Sequence, residues 1–194
     1  MEISSRNVVE GTARSPHRAM YKAMGLNDDD LSKQFIGVCH TGNEATPCNI
    51  HLPMLALKAK AGVSDTGATP REFSTIAVSD GIAMGHKGMH YSLPLREIIA
   101  DSIESVATAH CLDALVLLTN CDKITPGMMM GLARLDIPGI VVTAGPMMSG
   151  RYGNKRLSFV RDTFEAVGRK KSGEITQEEL DCLEMEACPG PGSC

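Results

Sequence analysis

Four short apolar runs punctuate the chain: "QFIGVC" (34–39), "STIAVS" (74–79), "ALVLLT" (114–119) and "GIVVTA" (139–144). Each is continuous, without the polar alternation of a half-exposed strand, and each is too short for a buried helix. They therefore predict buried strands. Helical patterns fill the gaps. "CNIHLPMLALKAKAG" closes on Gly62. "LPLREIIADSIESVATAHC" aligns Ile98, Ile99, Ile103 and Val106 on one face, with Pro94 tolerated in its first turn. "PGMMMGLARLD" lies between the third and fourth strands, and its methionine run suits core packing. Strands alternating with helices predict an α/β fold: a largely parallel sheet in a three-layer arrangement with flanking helices.

Beyond Pro146 the chain turns polar. It predicts a helix ending near Gly173, then a capping box at Thr176 and Glu179 that opens another over "TQEELDCLEMEA". The tail "CPGPGSC" is a turn-rich loop tipped by cysteine, which raises the expectation of a truncated chain. With 194 residues, one domain spanning 1–194 is expected. Apolar residues at 43% and charged residues at 22% are ordinary for a globular protein. A net charge of −4 with no basic run argues against nucleic acid and anionic membranes. No apolar stretch approaches the roughly 18 residues of a membrane span, and the N-terminus has no signal-like apolar core, so a cytoplasmic location is expected.

Seven cysteines, an odd number, speak against a disulfide framework and for metal or redox use. Ligands of open α/β sheets bind beyond the carboxyl ends of the strands. The residues there are Cys39, His40, Asn43, Glu44 and Cys48 after the first strand, Asp80 after the second, and Cys121, Asp122 and Lys123 after the third. Thiolates are soft ligands suited to zinc or iron–sulfur clusters, whereas paired carboxylates suit a hard cation such as Mg²⁺. The chain has no CxxC pair, no HxH and no HExxH, so neither a zinc finger nor a histidine metal site is indicated. "SDGIAMGHKG" fits neither GxGxxG nor a P-loop. The plainer readings are a turn for Asp80, a solvated cation or an ion-pair partner of Asp122 for Lys123, and burial for Cys39, Cys111 and Cys182. Cys188 is left open between ligand and ligand neighbour.

Several longer motifs narrow this. "TPCNIHL", "VSDGIAMGHKGMHYSLP", "REIIADSIE", "NCDKITPGMMMGLARLDIP" and "ACPGPGSC", in that order, resemble the dihydroxy-acid dehydratase family. Its wider group includes sugar-acid dehydratases such as 6-phosphogluconate dehydratase. The resemblance runs from Ser15 to Cys194 and implies an N-terminal portion, without the family's C-terminal β-rich domain. It implies a [2Fe–2S] cluster on Cys48, Cys121 and Cys194, with one iron open to act as a Lewis acid. Some relatives lack the first cysteine and are thought to carry [4Fe–4S]; Cys48 favours [2Fe–2S]. It further implies Mg²⁺ on Asp80 and Asp122, and Lys123 carbamylated by CO₂ so that a cation becomes an anionic ligand. Carbamylation needs the neutral amine, so a lowered Lys123 pKa is expected.

The implied activity is that of a hydro-lyase, removing water from 2,3-dihydroxy-3-methylbutanoate, and from the 3-methylpentanoate homologue, to give the 2-keto acid in valine, isoleucine and leucine synthesis. The general-base serine of the family falls in its C-terminal half, so the chain alone is expected to be inactive, and a homodimer is expected at full length. Leu95, Cys39 and His40 depart from the usual residues, which bears on substrate-side detail. The rival readings are a sugar-acid dehydratase and a non-catalytic iron–sulfur or redox-sensing domain. Adjacent residues of an extended chain point opposite ways, so "CDK" can serve two metal centres at once.

Overall fold

The computed structural model describes residues 3–193. Three short helices, α1 (Arg6–Val9), α2 (Ser15–Ala23) and α3 (Asp28–Ser32), lead into β1 (Phe35–His40). Then follow α4 (Leu52–Asp65), β2 (Thr69–Ser74), the single turn α5 (Asp80–Ala83), α6 (Leu95–Ala109) and β3 (Ala114–Thr119). The sheet is completed by α7 (Ile124–Arg134) and β4 (Gly139–Thr143). A small hairpin, β5 (Gly150–Tyr152) and β6 (Lys155–Leu157), precedes α8 (Phe164–Ser172) and α9 (Gln177–Ala187).

The four-stranded sheet has the order β2-β1-β3-β4, with every pair parallel. The predicted α/β architecture is thus the observed one, and each parallel step is made through a crossover, as strand pairing of this sense requires. Odd-numbered strand residues Phe35, Cys39, Leu115 and Leu117 bury against Ile99, Ile103, Ile124 and Met128 of α6 and α7. Even-numbered Val38 and Leu118 bury against Leu52, Ala56 and Val63 of α4. Glycines let α6 and α7 close on each other. A Cβ on Gly131 would lie 3.0 Å from the Ile103 Cβ, and one on Gly127 would lie 3.1 Å from the Arg96 Cα.

The second strand is displaced from its expected place. "STIAVS" is not the strand; β2 is the preceding "TPREFS". The reason is the length of its neighbour. β1 stops at His40, and the Thr75 amide donates to the His40 carbonyl at 3.0 Å as the last rung. Residues 76–79 have no strand beside them and instead carry the chain to Asp80. On α6 the buried face is Leu95, Ile99, Ala100, Ile103 and Ala107, while Ile98 is exposed. Leu95 is a core residue, so its departure from the usual residue bears on packing. Of the three successive methionines, Met128 is buried and Met129 exposed.

The segment after β4 has its own apolar cluster: Leu157, Ala166, Ile175, Leu183 and Ala187. Both expected helices form here; α8 ends at left-handed Gly173 and α9 begins at the Thr176–Glu179 capping box. Cys182 is exposed because Leu183 and Ala187 take the inward positions, so its expected burial does not occur. Cys111 is half-buried in the turn after α6.

Buried Asp162 fastens this unit. It accepts from the Ser158 amide at 2.5 Å and pairs with Arg161 at 2.9 Å and Lys155 at 3.2 Å. The Arg161 guanidinium, and then the Ser158 N–H, hold its carboxyl far below the usual range. A depressed folded pKa stabilises above the unfolded carboxyl pKa, about 4, and that contribution is lost as pH falls further. Asp162→Asn is therefore expected to lower the melting temperature at pH 7 and to change it much less at pH 3, as followed by circular dichroism.

Candidate metal centre

Two carboxylates and an ammonium meet beyond the carboxyl ends of β2 and β3. Asp80 is the first residue of α5, whose N-cap Ser79 accepts from the Ile82 amide. Lys123 precedes α7. The Lys123 Nζ donates to the Asp80 Oδ2 at 3.2 Å and also to the Asp122 Oδ2. The other Asp80 oxygen accepts from the Ser92 Oγ at 2.7 Å. Asp80 is nearly buried, with its side chain 13% exposed, whereas that of Asp122 is 68% exposed.

The electrostatics reverse one expectation. The hydrogen bond to Asp122, and then that to Asp80, raises the Lys123 pKa instead of lowering it. The Asp122 carboxyl is correspondingly lowered by Lys123. The ammonium is held charged because it lies between two carboxylates. A divalent cation would compete with it for the same oxygens, which is how the donor set fits Mg²⁺.

The thiols lie one step inward. Cys48 and Cys121 are both buried and belong to the same core cluster. Asn120 joins their loops: its Nδ2 donates to the Cys48 carbonyl at 3.1 Å and to the Gly145 carbonyl at 3.0 Å. The tail returns to the same place. The Gly192 amide donates to the Pro47 carbonyl at 3.3 Å, the Ser193 amide to Gly145 at 3.0 Å, and the Met147 amide to Ser193 at 2.8 Å. Cys194, the third expected thiol, lies outside the described residues. The Asn120 side chain and the backbone bonds of Gly192 and Ser193 thus join the loops beside the three positions, and two buried thiols there suit a soft metal or cluster.

"CDK" diverges by a turn and not by strand alternation. Cys121 adopts φ 79°, in the left-handed region, and Lys123 is already helical. The turn sends Cys121 into the core and lets Lys123 reach back to Asp80. Among the described residues, no three His, Cys, Asp or Glu side chains form a metal-ligand group by themselves.

Of the remaining candidates, His40 and Asn43 have partners of their own, while Cys188 stays near Cys48. Cys39 is buried, and burial pushes its thiol far up. His40 accepts from the Gly42 amide on Nδ1 at 3.0 Å, so its Nε2–H donates to the Glu72 carboxylate at 3.1 Å. Asn43 caps its own turn by accepting from the Ala45 amide at 2.8 Å. The Cys188 thiol is raised by burial and then by nearby Cys48. Ser92 and Asn120 were not singled out from the sequence. Both stand inside the resembling motifs, as the serine of "HYSLP" and the asparagine before "CDK".

The "Dihydroxy-acid/6-phosphogluconate dehydratase N-terminal" family matches residues 33–194. The chain belongs to this dehydratase family. It is 55% identical over 190 residues to a dihydroxy-acid dehydratase of Methanococcus maripaludis strain C6, covering 98% of this chain and 34% of that protein. A dihydroxy-acid dehydratase of Pyrococcus abyssi is 52% identical over 187 residues, with 96% and 34% covered. One of Endomicrobium trichonymphae is 52% identical over 192 residues, with 99% and 35% covered. The chain spans about a third of the length of these curated relatives. Among the described residues, no helix is long and apolar enough to cross a membrane.

Proposed function

We propose that this chain supplies the metal-holding part of a dihydroxy-acid dehydratase. The observation that carries the reading is the convergence of Asp80, Asp122 and Lys123 one turn away from buried Cys121. An electron-carrying iron–sulfur domain has no use for the carboxylate pair, which disfavours the non-catalytic reading.

Asp80 and Asp122 would hold Mg²⁺, and Cys48, Cys121 and Cys194 would hold a [2Fe–2S] cluster. When bound, the two centres supply Lewis acidity toward the carboxylate and hydroxyl oxygens of a 2,3-dihydroxy acid. Ser92 fixes the Asp80 carboxylate by occupying one oxygen and leaving the other toward Lys123. Lys123 is proposed to carry a carbamate formed from CO₂. A cation taking over the two carboxylates would remove the hydrogen bonds that keep its amine protonated. Because Cys121 and Asp122 are adjacent, with the Cys121 turn directing one inward and the other outward, groups held by the two would lie close enough to meet one small substrate. The physiological assembly is proposed to be a cytoplasmic homodimer of full-length chains.

Fusing this chain to the remaining part of the Methanococcus maripaludis relative permits the decisive assay. The fusion is expected to dehydrate 2,3-dihydroxy-3-methylbutanoate in the presence of Mg²⁺, and the 194-residue chain alone to turn over neither substrate. Turnover of 6-phosphogluconate only would favour the sugar-acid reading.

A further inference from the structure

The loop that carries Cys48 holds buried polar groups that bond to nothing around them. Among the described residues, seven buried side-chain atoms lack a hydrogen-bond partner, and four of them fall between Thr41 and His51: Thr41 Oγ1, both amide atoms of Asn49, and His51 Nδ1. Asn49 and Thr41 are each 0% exposed. Buried side-chain amides are nearly always paired, so this concentration of orphans calls for a partner beyond these residues. Elsewhere the rule is kept. Asn120 spends its Nδ2 on the Cys48 and Gly145 carbonyls, and Asp113 accepts two backbone amides.

The backbone around Asn49 is satisfied. Its amide donates to the Thr46 carbonyl at 3.3 Å, and its carbonyl accepts from the Leu52 amide at 3.0 Å. The Cys48 amide donates to Thr46 Oγ1 at 3.3 Å. What is left over is the Asn49 side chain, on the residue that follows Cys48 in the same turn. Both residues are 0% exposed, whereas the side chains of Lys123 and Asp122 are 25% and 68% exposed. Asn49 therefore belongs to the thiol side of the centre and not to the carboxylate side, which a substrate can reach from solvent.

We infer that the Asn49 Nδ2–H donates to a sulfur of the cluster proposed on Cys48, Cys121 and Cys194, either a bridging sulfide or a cysteine thiolate. The inference rests on that reading of the centre. It makes Asn49 a positioning residue and not a ligand: an amide N–H is a donor, and sulfide and thiolate are acceptors that a cluster brings into a space closed to solvent. Reduction adds negative charge to the sulfurs, and a buried N–H dipole directed at them stabilises that charge. Asn49 thus raises the reduction potential of the cluster and helps to hold it in place.

Redox titration of the reconstituted cluster tests it. The chain and its fusion to the remaining part of the Methanococcus maripaludis relative are loaded anaerobically with iron and sulfide, as wild type, Asn49→Leu, Asn49→Ala and Asn49→Gln, each shown by circular dichroism to be folded. Asn49→Leu and Asn49→Ala remove the donor and are expected to shift the reduction equilibrium about tenfold toward the oxidised form, which is about 59 mV for one electron. Asn49→Gln keeps a donor and should recover part of the shift. A second reading needs only the wild type. With asparagine labelled by ¹⁵N at its side-chain amide, pulsed EPR of the reduced cluster should show a nitrogen coupling, lost in Asn49→Leu. An Asn49 with a purely structural role would alter the melting temperature and leave the potential where it was, which overturns the inference. So would an exchangeable-proton coupling without the nitrogen coupling, which makes a buried water the partner. A loaded wild type with equal potentials in the variants sinks this inference alone. An iron–sulfur signal absent from both wild-type proteins sinks the reading of the centre with it.

Discussion

Gly192→Ala is expected to lower iron–sulfur loading by about 10–100-fold while leaving every thiol in place. Gly192 has φ 143°, and a Cβ there would lie 2.5 Å from both the Cα and N of Met147. The obstruction is backbone, so it cannot be relieved by a side-chain rotation. The alanine chain must lift off the 145–147 segment, breaking the bonds of Gly192 to Pro47 and of Ser193 to Gly145 and Met147. Those bonds are what bring the residue before Cys194 to the loop of Cys48. Gly192 is buried and the substitution also breaks hydrogen bonds, so a stability loss of about 1–3 kcal/mol is expected beside it, and loading is compared on protein shown by circular dichroism to be folded. Iron and sulfide retained after anaerobic reconstitution and desalting give the answer. Wild-type retention in the variant would show that the tail position has no part in loading.

Asp113→Ala is expected to be the most damaging substitution of a charged residue away from the candidate metal centre. The buried carboxylate accepts from the Phe35 amide at 2.8 Å and from the Ser5 amide at 3.0 Å. It ties the start of β1 and the N-terminal arm to the entry of β3. Removing it orphans two buried N–H groups and two charge-assisted hydrogen bonds, a loss of about 3–5 kcal/mol. For a chain of this size that corresponds to a fall in melting temperature of about 6–20 °C. Asp113→Asn should recover only part of it, because one of the two amides would then face an NH₂ group. Asp101→Ala, which removes an exposed partner of Arg134, should cost less than about 1 kcal/mol. Thermal melts of the three variants side by side separate burial from charge.

The fold was legible where apolar runs lie on interior strands. β1 and β3 stand within a residue of their expected limits because both faces are buried and nothing polar interrupts them. β2 was not legible, since an edge strand tolerates Arg71 and Glu72, and the more apolar residues after it have no strand to pair with. The β5–β6 hairpin was hidden for the same reason: "GRY" and "KRL" are mostly solvent-facing. At the candidate metal centre, Asp122 and Lys123 were readable from their position after β3, whereas Asp80 was reached through a strand expected at 74–79 that the structure places earlier. The mutual contact of the three was not readable, because it depends on the left-handed turn at Cys121, a conformation that the residue type gives no reason to expect. Ser92 and Asn120 act by hydrogen bonds across 12 and 72 residues of sequence, a relation visible only in three dimensions.

The central claim is that a soft cluster site adjoins a hard cation site in this chain. Anaerobic reconstitution with iron and sulfide, followed by analysis of both, tests it most directly. About two iron and two sulfide per chain are predicted, lost in Cys121→Ser and kept in Cys182→Ser. Iron held equally by Cys121→Ser, or loading without sulfide, would contradict it.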